Sequence, residues 1–224
     1  MKNLSVFDVI GPRMIGPSSS HTAGAVRIAL VGRKIAHGKI SSVQFFLHGS
    51  FAKTYRGHGT DRALLGGILG YSTEDPRIVD AFKGADEKGI TYSFTPTDLG
   101  EDYHPNTVRM LITTDDGKQS EVIGESVGGG SINIVQLNGQ RVEFTGEFYT
   151  LIVKQRDIPG VAAHITQCIA SEGINVAFMR IYREDKGDFA YTIIEADEEI
   201  SDSAVDKIKA KPDLIQTALV LSLR

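Results

Sequence analysis

The sequence predicts an α+β protein of two domains, a mixed α/β domain followed by a ferredoxin-like one. Three observations carry that expectation. Helical and strand periodicities alternate over the first part of the 224-residue chain. A β-rich stretch with hairpin-turn signals follows between residues 91 and 137. Near Gly146 the pattern changes, and roughly 75 residues then read βαββαβ, the split-βαβ order. The boundary is placed between residues 146 and 147, giving domains of 1–146 and 147–224, sizes normal for one chain of this length.

Element by element, residues 5–10 form a short amphipathic segment opening at Ser5. In 24–37, Ala25, Ile28, Ala29, Val31 and Ile35 recur at roughly helical spacing, and Gly38 offers a stop. Val43, Phe45 and Leu47 alternate in a strand over 42–48. A helix over 60–70 contains Gly66-Gly67, a pair that costs helix propensity and so points to close backbone packing. Asp75 caps a helix over 76–88. Strands are expected at 91–94, 107–114, 120–125 and 132–137, with turns at Asp115-Asp116-Gly117-Lys118 and Asn138-Gly139. Gly128-Gly129-Gly130 reads as a loop, with a close approach to a ligand as the alternative. The C-terminal unit follows as strand 148–154, helix 161–171, strands 175–183 and 188–196 joined by a polar turn at 184–187, helix 201–209 capped at Ser201 or Asp202, and strand 215–223.

Composition excludes several classes. Charged residues make up 23% and hydrophobic ones 41%, with a net charge of −4, and no basic run interleaved with aromatics is present, so nucleic acid is not an expected partner. No apolar stretch is long enough to cross a bilayer, and Met1 to Ser5 lacks the apolar core of a leader, so no membrane is expected. Cys168 is the single cysteine. It permits no intrachain disulfide, which fits a reducing, cytoplasmic compartment, and it cannot by itself hold an iron–sulfur cluster. It lies in an apolar helical stretch and reads as a small core residue.

The segment Gly16-Pro17-Ser18-Ser19-Ser20-His21-Thr22-Ala23-Gly24 places four hydroxyls and one imidazole directly before a helix. A helix start offers unpaired N–H groups and the positive end of a dipole, so Ser18, Ser19, Ser20 and Thr22 suit a substrate carboxylate. The plainer account is a cap with solvated neighbours, which uses one or two of these side chains and leaves the rest unexplained.

The turn Asp157-x-Pro159-Gly160 inside the βαββαβ unit resembles the ACT domain, a module that commonly binds amino acids. The N-terminal motifs Ser5-Val6-Phe7-Asp8, Gly16-Pro17-Ser18-Ser19-Ser20-His21-Thr22, Gly57-His58-Gly59-Thr60-Asp61 and His104-Pro105-Asn106-Thr107 resemble the beta subunit of iron–sulfur-dependent L-serine dehydratase. The resemblance spans essentially the whole chain. Single-chain members usually carry proline after the glycine of the serine motif; here Ala25 follows Gly24, which is similar to the two-subunit form.

The resemblance implies a lyase reaction, L-serine to pyruvate and ammonia. It implies an alpha subunit that carries the cysteines of a [4Fe–4S] cluster, with self-association through the beta or ACT domains. It also implies a pocket of His21 and His104, with Ser18, Ser19, Ser20, Thr22 and Asn106 around the substrate. β-Elimination needs a base for the Cα proton, and either imidazole suits that task; the sequence leaves the choice open. His58 is expected to be a minor wall of the pocket, while His37, His48 and His164 have no motif partner. No histidine pair has the i, i+4 spacing of a helical zinc site, and no metal ligand is expected in this chain. Asp157 and Gly160 are the expected regulatory residues, because a side chain at 160 would crowd a ligand or a paired ACT unit. The competing reading is an amino-acid-sensing regulatory subunit without catalytic residues, of the kind attached to some phosphoglycerate dehydrogenases; His21 and His104 discriminate, since sensing does not require them. An isolated dehydrogenase is excluded by the lack of a strand-linked Gly-x-Gly-x-x-Gly.

Overall fold

Hydroxyls open the first helix. Ser18, in extended conformation, accepts the main-chain N–H of His21, and Ser19–Ala23 then makes a π-helical turn that runs without a break into α1, Gly24–Ala36. The serine motif is therefore the first turn of the helix rather than a loop ahead of it. The computed structural model from which this fold is taken describes residues 13–183 and 187–223. The amphipathic segment at 5–10 and most of the polar turn at 184–187 lie outside the described residues.

The chain divides into two units, Met1–Gly139 and Gln140–Arg224. The division falls ahead of the expected 146/147 and puts a strand not anticipated from sequence, Gln140–Phe144, in the second unit. There Glu143 O accepts from Arg180 Nη1 (3.5 Å) and Tyr182 Oη (3.4 Å).

In the N-terminal unit, β1 (Ile40–Leu47), β2 (Thr91–Pro96), β3 (Thr107–Thr114), β4 (Gln119–Gly128) and β5 (Ser131–Leu137) lie in the order β2-β1-β3-β4-β5. The β1–β2 pair is parallel and the others are antiparallel. Their inward residues, among them Phe45, Leu47, Met110, Ile112, Val122 and Ile134, are fully buried.

Two helices, α2 (Gly49–His58) and α3 (Thr60–Leu69), follow β1 and meet at Gly59, whose φ of 71° makes the corner. Only α3 was expected; the mixed run from Gly49 to His58, with Gly57 inside it, hides α2 in the sequence. The close packing inferred from Gly66-Gly67 is present: a Cβ on Gly67 would lie 2.5 Å from Val26 O and 2.6 Å from Ala29 Cβ of α1. The left-handed stop of α1 is His37 (φ 42°), not Gly38. Pro76–Asp80 is a 3₁₀ turn capped by Asp75 and leads into α4, Ala81–Glu87. Gly128-Gly129-Gly130, all at positive φ, close the tight turn between β4 and β5.

The C-terminal unit carries β7 (Tyr149–Arg156), α5 (Val161–Ser171), β8 (Val176–Arg183), β9 (Phe189–Ala196), α6 (Asp202–Lys209) and β10 (Ile215–Leu221); Gln140–Phe144 is β6. Its sheet order, β10-β7-β9-β8, is that of the expected βαββαβ fold. Leu151, Val153 and Ile194 from the strands pack with Ile165, Ile169 and Ile208 from the helices in one buried core. Ser201 caps α6 by accepting from Ala204 N (3.1 Å).

Candidate active site

One end of the N-terminal sheet gathers the motif residues. The register pairs Leu47 with Val108 and Thr107 with Glu125, so the end of β1, the start of β3 and the end of β4 lie side by side. The loop entering β3 is His104-Pro105-Asn106, and the helix leaving β1 is α2. Pro105 O accepts from Ser50 N (2.7 Å), and Gly49 before it sits at φ 57° with the Pro105 backbone where a Cβ would be. That close approach admits only glycine at 49.

His21 projects from the π-helical turn into this region. Its Nδ1 lies 3.1 Å from Ser20 Oγ and 3.3 Å from Ser18 Oγ, and its Nε2 lies 3.1 Å from Ser50 Oγ. The ring also meets Phe51 edge-on at 5.3 Å and the His58 ring at 4.8 Å. Burial, and then the neighbouring His58, hold the His21 imidazole below its usual pKa. The ring is thus kept neutral, with a hydroxyl at each nitrogen.

His104 is held differently. Its main-chain N–H donates to Glu125 Oε1 (3.1 Å), and its carbonyl accepts from the Thr107 hydroxyl. Asn106 N donates to His104 Nδ1 (3.1 Å). A main-chain N–H can only donate, so this nitrogen is the acceptor and the neutral ring carries its proton on Nε2. Asn106 thus orients the histidine through its backbone. The Asn106 Nδ2 faces Ser126 O at 3.5 Å, and its Oδ1 is buried without a partner among the described residues, as is Ser126 Oγ. Ser126 is wholly buried against the start of α1: a Cβ on Gly24 would lie 2.0 Å from its Oγ.

Among the predicted residues, then, the structure brings together Ser18, Ser20 and His21 directly, and it ties the His104–Asn106 loop to them through Ser50. Ser19 is half-buried and makes no side-chain hydrogen bond among the described residues. Thr22 departs from the expectation: it is 2% exposed and its hydroxyl donates to Ser18 O of its own helix, so it fastens the turn rather than facing a ligand. His58 is the last residue of α2 and stacks on His21. Ser50 escaped the sequence reading because α2 did; a Gly-Ser pair directly after a strand was the available signal. Ser126 gave only the weak signal of a serine among buried strand positions.

In the C-terminal unit, the Asp157 carboxylate is already engaged, paired with Arg183 Nε (2.7 Å) and accepting from Gly187 N (3.0 Å). A Cβ on Gly160 would meet nothing within 4 Å among the described residues of this chain, and its φ of 90° favours glycine there. Cys168 is 9% exposed in α5, 3.8 Å from His164 Nδ1. Among the described residues no group of three or more His, Cys, Asp or Glu is placed to hold a metal ion, and no helix is long and apolar enough to cross a membrane.

Comparison with known proteins adds independent findings. The family model described as serine dehydratase beta chain matches residues 5–87, and the ACT domain model matches residues 149–213. The L-serine dehydratase beta chain of Peptoniphilus asaccharolyticus is 41% identical over 203 residues, 91% of each chain. A protein of Bacillus subtilis (strain 168) named probable L-serine dehydratase, beta chain, is 41% identical over 220 residues, 98% of this chain and 99% of that one. A D-3-phosphoglycerate dehydrogenase of Methanocaldococcus jannaschii is 24% identical over 191 residues, 84% of this chain but 35% of the enzyme.

Proposed function

The chain belongs to the family of L-serine dehydratase beta chains, and on that premise we propose that it works with an alpha subunit as an L-serine ammonia-lyase. The overall reaction converts L-serine to pyruvate and ammonia. The Cα–H bond breaks, its electron pair forms the Cα–Cβ double bond, and hydroxide leaves Cβ. The resulting enamine becomes an imine, whose hydrolysis returns the water and releases ammonia.

The observation that carries this chain's part is His21, a desolvated imidazole held between hydroxyls. It accepts the Cα proton, a role in which a neutral ring is required. His104, with its proton on Nε2, donates a hydrogen bond to the substrate carboxylate or the departing hydroxyl. Ser18, Ser19 and Ser20, at the start of α1, hold the carboxylate. Asn106 keeps His104 in place. The family's [4Fe–4S] cluster has no fit in this chain: the one thiol, Cys168, is buried in α5 of the other unit. We assign the cluster to the alpha subunit, a cytoplasmic location to the complex, and effector binding or self-association to the ACT unit around Asp157 and Gly160.

Reconstitution tests this assignment. The chain alone should form no pyruvate from serine, and addition of the cluster-bearing alpha subunit under anaerobic conditions should produce activity. Robust deamination by the purified chain alone would refute the division of labour. The regulatory reading has one observation in its favour, the similarity to a segment of phosphoglycerate dehydrogenases. It would replace the present one if complexes carrying His21→Ala and His104→Ala turned over like the parent.

A further inference from the structure

Three contacts converge on Ser50, a residue outside every motif that pointed to the reaction. Its Oγ is 3.1 Å from His21 Nε2, its N–H donates to Pro105 O at 2.7 Å, and its carbonyl accepts from Thr54 Oγ1 at 2.8 Å. The last two bonds fix the Ser50 backbone at the first turn of α2. The first gives His21 Nε2 its hydrogen-bond partner from outside the serine turn. Ser18 and Ser20 hold only Nδ1, and they sit on the same turn as the ring they hold. A ring gripped at one nitrogen can still swing about its Cβ–Cγ bond; a ring gripped at both cannot.

We propose that Ser50 is the positioning residue for His21, fixing the imidazole plane from across the site and joining the serine turn to the His104 loop. The proposal rests on the reading of His21 as the base. A hydroxyl donates or accepts, so Ser50 serves the neutral ring in either tautomer and accepts from Nε2–H when the ring holds a proton. With the Cα proton arriving at Nδ1, as Ser18 and Ser20 turn from the ring to the substrate carboxylate, Ser50 stays bonded at Nε2 before and after the transfer. The substitution Ser50→Ala removes this bond while keeping the N–H to Pro105 and the helix start, which separates positioning from folding.

The test has two arms. In the full chain labelled with ¹⁵N-histidine, the His21 signals are identified by their loss in His21→Gln and titrated in parent, Ser50→Ala and Ser50→Thr chains. Ser50→Ala should move the Nε2 shift and lower the titration midpoint, because the protonated ring loses an acceptor; Ser50→Thr should restore both. In complexes with the alpha subunit, Ser50→Ala should lower kcat about 10-fold or more with KM within about twofold, and Ser50→Thr should recover most of it. Parental His21 signals in the Ser50→Ala chain would overturn the proposal whatever the activity. Altered His21 signals with parental kcat would uphold Ser50 as the positioning residue and instead remove His21 from the chemistry.

Discussion

In the C-terminal unit, the buried polar groups find partners within the unit, Gln155 Oε1 excepted among the described residues. Gln155 Nε2 donates to Thr192 Oγ1, Glu195 accepts from Thr145 and faces Arg180, and Asp157 is paired with Arg183. The N-terminal unit is otherwise built. Of the five buried side-chain oxygens without a partner among the described residues, Thr60, Asn106, Ser126 and Asn133 belong to it, and only Gln155 to the other. Asn106 and Ser126 adjoin each other beside the serine turn, at the end of the sheet where His21 and His104 lie. An unpaired buried acceptor costs about 1–3 kcal/mol. The N-terminal unit carries that cost at the site, whereas the C-terminal unit closes its bonds around a compact core. On the proposed function, the difference separates a chemical site from a module that would work at its surface.

Substitution at the site should give the largest effects. His21→Ala and His104→Ala, in complexes of equal iron content, should each lower the steady-state rate of pyruvate formation about 10²–10⁴-fold without dissociating the subunits. Gly160→Asp, in the other unit, should leave kcat intact and change amino-acid binding or oligomer mass. If Gly160→Asp matched the parent in binding, mass and activity, the surface role of that unit would fall.

Packing sharpens the contrast at smaller scale. Gly67→Ala puts a methyl group against Val26 O and Ala29 Cβ and should cost the N-terminal unit about 1–3 kcal/mol by denaturant titration. Gly160→Ala meets no neighbour, so its cost comes from a left-handed φ alone and should be roughly 1–2 kcal/mol, confined to the C-terminal unit.

The two units should also respond oppositely to acid. The folded pKa of His21 lies below its ordinary 6.5, so its contribution is present above that value and is lost as pH falls through the folded pKa. Glu195 is raised above its ordinary 4.5, chiefly by burial; its contribution is full below 4.5 and is lost as pH rises through the folded pKa. Acidification from pH 6.5 down to the folded pKa of His21 should weaken the first unit, and acidification from the folded pKa of Glu195 down to pH 4.5 should strengthen the second. Asp61, also raised by burial, opposes His21 in its own unit, so the comparison is parent against His21→Gln and parent against Glu195→Gln. Hydrogen exchange resolved by unit should show each variant flattening its own unit's response. The smallest effects belong to the rim: Ser19→Ala should raise KM a few-fold (about 1 kcal/mol of carboxylate binding) with kcat little changed, and His37→Ala should leave both constants unchanged.

The βαββαβ part of the C-terminal unit was legible because its elements announce themselves, whereas the short strand Gln140–Phe144 ahead of it does not. Ser201 caps its helix, Val161–Ser171 has a clear apolar stripe, and the strands are apolar runs bounded by turn residues. In the N-terminal unit, long-range contacts decided what local pattern could not. Residues Gly49–His58 became a helix because its start docks on the Pro105 carbonyl, a partner more than fifty positions away in the chain. The histidines stand out in the sequence through their motifs. Ser50 and Ser126 do not, since each acquires its meaning from a neighbour that only the sheet register supplies. Thr22 is the opposite case: within a hydroxyl-rich run, the sequence does not tell which hydroxyl the helix keeps for itself.

The central claim is that His21 of this chain takes the Cα proton in a reaction shared with the alpha subunit. Its most direct measurement is the deuterium isotope effect on kcat with Cα-deuterated L-serine, in parent and His21→Ala complexes of equal iron content. If His21 is the base, its loss makes C–H cleavage limiting: kcat falls about 10²–10⁴-fold and the isotope effect rises above the parent's. A parental rate with a parental isotope effect in the His21→Ala complex would contradict the account.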